Sequence, residues 1–121
     1  MKLNILITLL AIITPLIANA GFTQSRLNKQ AAAANQGIRD SGYSYSEMNL
    51  SMTNADDGKT LNIVYRGKIC DAAGDDLAFA MAIRESTLES LSTRHLAEFI
   101  RNGYNRIKFV VGNEFCYHKL Q

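Results

Sequence analysis

LNIVYRGKIC at residues 61–70 and RIKFVVGNEFC at residues 106–116 decide the fold. Both are rich in β-branched and aromatic residues, the composition of strands. Each ends in one of the chain's two cysteines, and a helical pattern separates them. A disulfide needs Cα atoms within about 7 Å. In antiparallel neighbours Cys70 would lie beside Asn105, leaving Cys116 roughly 35 Å away at ~3.3 Å per residue. In parallel neighbours joined by a right-handed helical crossover, both cysteines reach the same end of the sheet. The pattern therefore predicts a parallel βαβ unit closed by a Cys70–Cys116 bridge.

Setting Cys70 opposite Cys116 fixes a register that side-chain alternation can check. One face then pairs Ile69 with Phe115, Tyr65 with Val111, Ile63 with Phe109 and Leu61 with Ile107, which is a core. The other pairs Lys68 with Glu114, Val64 with Val110 and Asn62 with Lys108, with Arg66 and Arg106 nearby. That face is solvated and basic, and no aromatic residues interleave its cations in the manner used for single-stranded nucleic acid.

Upstream, residues 46–53 alternate, with Met48, Leu50 and Met52 on one side. The turn chemistry of residues 55–58 follows. An antiparallel hairpin pairing Asn54 with Lys59 places Met52 by Leu61, Leu50 by Ile63 and Met48 by Tyr65. Residues 22–40 are polar and alanine-rich, with a thin apolar face of Leu27, Ala31, Ala34 and Ile38. They predict a helix docked on the domain, or an arm that folds on its partner.

Residues 1–20 have the form of a cleaved signal peptide. Lys2 supplies the basic start, residues 5–16 the apolar run and Ala18-Asn19-Ala20 the small-x-small site. The apolar run, interrupted by Pro15, falls short of the ~20 residues of a membrane span. Cleavage would leave about 100 residues, one domain by length, with the loss of Lys2 taking the formal charge from +2 to +1. So even a balance predicts no general attraction to nucleic acid or membrane. Export to a periplasm or the medium favours the disulfide, which would stabilise by roughly 4 kcal/mol.

After Cys70, residues 71–76 predict a loop whose last aspartates cap a helix. Leu77, Ala80, Met81, Leu88 and Leu91 form its stripe, and a break near Ser92 or Thr93 turns the stripe toward Leu96, Phe99 and Ile100. Asn102-Gly103 is the stop signal. The expected architecture is α+β: a small three-stranded mixed sheet, made of an antiparallel hairpin plus the parallel crossover, with helices on one face and one disulfide. Its domains are residues 1–20 as signal peptide, 21–40 as helix or arm, and 41–121 as the α+β domain.

Candidate chemistry is sparse. Asp71, Asp75, Glu114 and His118 would gather at the C-terminal strand ends, where ligands of parallel sheets bind, and could hold a divalent cation. Helix capping and a solvated tail explain the same residues. His95 has only Glu98 nearby in sequence, and no nucleophile–base spacing stands out. No cofactor motif is present. The expected function is an exported protein-binding module of adaptor, inhibitor or immunity type, acting through Arg66, Lys68, Arg106 and Lys108 on another protein or an anionic envelope component. The alternative is a small secreted hydrolase or metal-dependent enzyme using the acidic cluster.

Overall fold

A computed structural model describes residues 21–120. The expected signal peptide lies outside them. The elements run α1 (Gln24–Asp40), β1 (Asn49–Asn54), β2 (Thr60–Arg66), α2 (Lys68–Ala73), α3 (Leu77–Ser90), α4 (Thr93–Arg101), β3 (Arg106–Val111) and β4 (Glu114–Lys119). The four strands make one mixed sheet in the order β1-β2-β3-β4. β1 pairs antiparallel with β2, β2 parallel with β3, and β3 antiparallel with β4.

Two features of the expected architecture are overturned. The sheet has four strands rather than three, and Cys70 and Cys116 are free, buried thiols rather than a disulfide. Both corrections trace to glycines. At Gly67 the chain turns with φ +119, and a Cβ there would meet the Glu47 carbonyl oxygen at 2.5 Å. Lys68 and Ile69 donate their N–H groups to Ser46 and Glu47 carbonyls, at 2.8 and 3.1 Å. The strand therefore stops at Arg66, and Cys70, expected at the strand's end, lies in the short helix α2, which also takes up the start of the loop expected over residues 71–76. At Gly112, with φ +61, the second strand folds back through the two-residue turn Gly112-Asn113. Cys116 thus lies in β4 opposite Phe109, while Cys70 sits beyond the end of β2.

The parallel seam nonetheless has Leu61 opposite Ile107, Ile63 opposite Phe109 and Tyr65 opposite Val111. The β1–β2 hairpin differs from expectation by two residues. Leu50 faces Tyr65, Met52 faces Ile63 and Asn54 faces Leu61, so every core residue keeps its face. Ala55 closes the turn on Thr60 with a 3.0 Å bond. Asp57 stabilises it by accepting from the N–H groups of Lys59 and Thr60, both at 2.9 Å.

The core lies on one side of the sheet. Leu61, Ile63, Ile107, Phe109 and Val111 meet Leu27 of α1, Ala80 of α3 and Phe99 of α4 there. Helix α1 is capped by Thr23 and buries Leu27, Ala31 and Asn35 against β1; the expected Ala34 is exposed and polar Asn35 takes its place. Asp76 caps α3 through a bond from Phe79 N–H. In α3, Phe79 and Ile83 turn toward the core, whereas the expected stripe members Leu77 and Met81 stay exposed. Ser92 begins α4 in a capping box with His95, so that histidine is a structural partner of a helix start. Among the described residues no helix is long and apolar enough to cross a membrane.

Candidate functional site

The turn at Gly112 changes what the uncovered side of the sheet presents. Pairing Val111 with Glu114 and Val110 with Phe115 puts Phe115, Tyr117 and Lys119 on the side opposite the core. Phe115 was expected inside against Ile69; it is 52% exposed, and Tyr117 40%. Glu114, expected on the basic face beside Lys68, shares the side of Val111 instead. Lys68 leaves the sheet altogether in α2. The open face therefore gains two aromatic rings and Lys119 and loses an acid.

Its cations are placed on those rings. The Arg106 guanidinium lies 4.5 Å from the centre of the Tyr117 ring, and the Lys108 ammonium 4.5 Å from that of Phe115. The rings meet edge to face at 5.7 Å. Cation–π contact holds each charge against an apolar surface while leaving its remaining N–H groups to solvent or a ligand. Arg106 is fixed further by donating from Nε to Thr60 Oγ1 at 2.8 Å, with Asp57 Oδ2 at 3.6 Å. The Lys59 N–H above all, with the Thr60 hydroxyl and N–H and the Arg106 charge, holds the Asp57 carboxyl below the ordinary carboxylate range. Desolvation opposes that lowering. A shallow hollow bounded by Asp57, Asn105, Arg106, Tyr117 and Lys119 lies at one end of the group. Arg66 is exposed at the far end of β2. Of the expected binding residues, then, Arg106 and Lys108 are brought together, Arg66 stands apart on the same face, and Lys68 does not belong to it.

The edges of the sheet differ from each other. At β1, the Asn35 amide of α1 donates to Leu50 O at 2.9 Å and accepts from Leu50 N at 2.8 Å. Gln24 donates to Met52 O at 2.8 Å. Side chains thus occupy the groups that a neighbouring strand would bind. At β4, Leu120 N–H bonds inward to Asn105 O, whereas Tyr117 O accepts from Arg84 Nη1 of α3 at 3.2 Å. By strand alternation, the main-chain groups of Phe115, Tyr117 and Lys119 all point outward.

The acidic alternative is dispersed. Asp71 lies in α2, Asp75 accepts from Asn113 Nδ2 at 3.0 Å, and Glu114 and His118 sit near opposite ends of β4, about 13 Å apart along a strand. Among the described residues no group of three or more His, Cys, Asp or Glu side chains is placed to hold a metal ion. Burial raises the pKa of both thiols, which keeps them in the unreactive protonated form. The signal for the aromatic pair was present in the sequence as Gly112-Asn113, a dipeptide of two-residue hairpins.

Comparison with protein-family models, with curated proteins and with solved structures finds no match.

Proposed function

We propose that this chain is an exported binding module whose open sheet face holds an acidic segment of another protein. The observation that carries this is the pair of cation–ring contacts, Arg106 on Tyr117 and Lys108 on Phe115, on the side of the sheet opposite the core that the described helices cover. Arg66 and Lys119 add positive charge to that side, against the turn carboxylates of Asp56 and Asp57, of which Asp57 is already engaged by Thr60 and Arg106. Charge complementarity of this kind steers association and selects partners. The near-even overall charge of the chain gives no general attraction to nucleic acid. Export rests on the leader-like residues 1–20.

The test compares wild type with Arg106→Ser/Lys108→Ser as bait in the exported fraction of the native organism, at low and high salt. Losing the Arg106 bond to Thr60 and both cation–ring contacts should lower the melting temperature by about 5–10 °C while leaving the protein folded at the assay temperature. Partners carried by the face should be lost from the variant and weakened by salt. A partner retained equally by both proteins would return the face to a solvated surface.

A further inference from the structure

We infer that the partner segment binds as a fifth strand alongside β4, in extended form, with acidic side chains toward the open face and apolar side chains toward α3. This rests on the binding reading above and adds the mode and the chemistry of the occupant.

The asymmetry of the edges is the first ground. β1 is closed by the Asn35 and Gln24 amides, whereas at β4 the outward groups of Phe115, Tyr117 and Lys119 meet a helix side chain at Tyr117 O. A guanidinium there stands in for the N–H that an added strand would supply. Strand addition to an exposed edge takes its affinity from such main-chain groups and its specificity from alternate side chains.

The surfaces flanking the edge are the second ground. Arg84 reaches β4, and Met81 and Leu77 precede it at helical spacing on the same side of α3. Met81 is 42% exposed and Leu77 46%, beside Phe115 and Tyr117 on the other flank. Four of the seven large exposed hydrophobic side chains among the described residues therefore flank the β4 edge, whose outward groups are met by a side chain at Tyr117 O. In an added strand, successive side chains would point alternately to these two flanks. Those on the helix side meet Met81 and Leu77. Those on the open side meet Phe115, Tyr117 and Lys119, with the Lys108 and Arg106 charges on β3 held over the two rings, about 10 Å from the added backbone; a long acidic side chain lying across the rings reaches them, which is the charge complementarity that selects glutamate there.

The test uses a fluorescein-labelled peptide alternating glutamate and valine, a lysine–valine counterpart, and the glutamate peptide N-methylated at alternate residues. Polarisation should show saturable binding of the first to the folded protein, weaker by at least about tenfold for the other two. Hydrogen exchange should slow at Phe115, Tyr117 and Lys119 when peptide is bound. Met81→Glu, off the open face, should weaken binding. Phe115→Pro, which removes an outward N–H, should weaken it more than Phe115→Thr. No saturable binding, equal binding of the lysine peptide, or binding without protection of those amides would overturn the inference. In the last case, sensitivity to Arg106→Ser/Lys108→Ser would leave the face-binding function standing while the strand mode fell. Self-association in sedimentation that Phe115→Pro abolishes would make a second copy of the chain the occupant and likewise refute it.

Discussion

Asn35→Ala removes a single buried amide and should unlock the β1 edge. Asn35 is 4% exposed, and its side chain makes two bonds to the main chain of Leu50, at 2.8 and 2.9 Å. A net contribution of about 1 kcal/mol per bond gives about 2 kcal/mol, and leaving the Leu50 groups poorly hydrated behind α1 adds about 1 kcal/mol more. Alanine returns about 0.5 kcal/mol through its better helix propensity. The expected loss is therefore about 2–3 kcal/mol, a large share of the stability of a domain this small. Urea unfolding at 25 °C should show a lower midpoint at an unchanged slope. Hydrogen exchange should quicken at Leu50 ahead of the seam residues. Gln24→Ala, which removes the bond to Met52 O at a more exposed place, is the internal control at under about 1 kcal/mol. If Asn35→Ala cost no more than that control, the amide would not be closing the edge, and the contrast drawn between β1 and β4 would fail.

Three further outcomes follow from individual contacts. Because the Asp57 carboxyl is held below its ordinary range in the folded state, it stabilises the fold above the unfolded carboxylate pKa, near 3.9, and that contribution is lost as pH falls through the lowered folded value. Asp57→Asn should flatten the acid limb of a stability–pH curve below about pH 4, and an unchanged limb would refute the assignment. Gly67→Ala should cost more than about 2 kcal/mol, since the residue combines φ +119 with a Cβ clash on Glu47, whereas Gly37→Ala, in open space on α1, should gain about 0.5 kcal/mol; thermal melts of both variants check the pair. Cys70 and Cys116 should resist alkylation in the native protein and both react after unfolding without reductant. A mass showing neither alkylated would restore the bridge.

Much of the fold was legible in period and punctuation. The helix breaks at Asp76, Ser92 and Asn102-Gly103 were readable because caps are local chemistry. The β2–β3 pairing is written in apolar parity rather than in the cysteines. Apolar parity on Leu61, Ile63, Phe109 and Val111 suffices for it, while the cysteines that motivated it are not joined. The structure departs from expectation where residues 61–70 and 106–116 are each broken by a glycine turn. Gly67 and Gly112 were both visible, but an alternating run around a glycine fits a continuous strand as well as a turn until the opposing backbone is known. Here that backbone is Glu47 beneath Gly67, and the Cys70 and Gly74 carbonyls beneath Gly112. The site suffered most, because one missed turn moved Phe115 from the core to the surface. The closure of the β1 edge by Asn35 was illegible, since a polar residue on a helix offers no periodic signal that it will be buried against a strand.

The order of pairing, two antiparallel hairpins joined by one parallel seam, also bears on how the chain folds. Each hairpin closes over a short loop and can form within microseconds, yet a lone two-stranded ribbon is barely stable in water. The seam between β2 and β3 is the long-range closure, since three helices intervene between its strands, and it carries the loop entropy of the whole crossover. It is also where Leu61, Ile63, Ile107 and Phe109 meet. The expected rate-limiting event is the zipping of the two ribbons along this seam. In stopped-flow refolding, truncation at Ile63 or Phe109 should slow folding itself, whereas truncation at Phe115, on the outer strand, should act on unfolding.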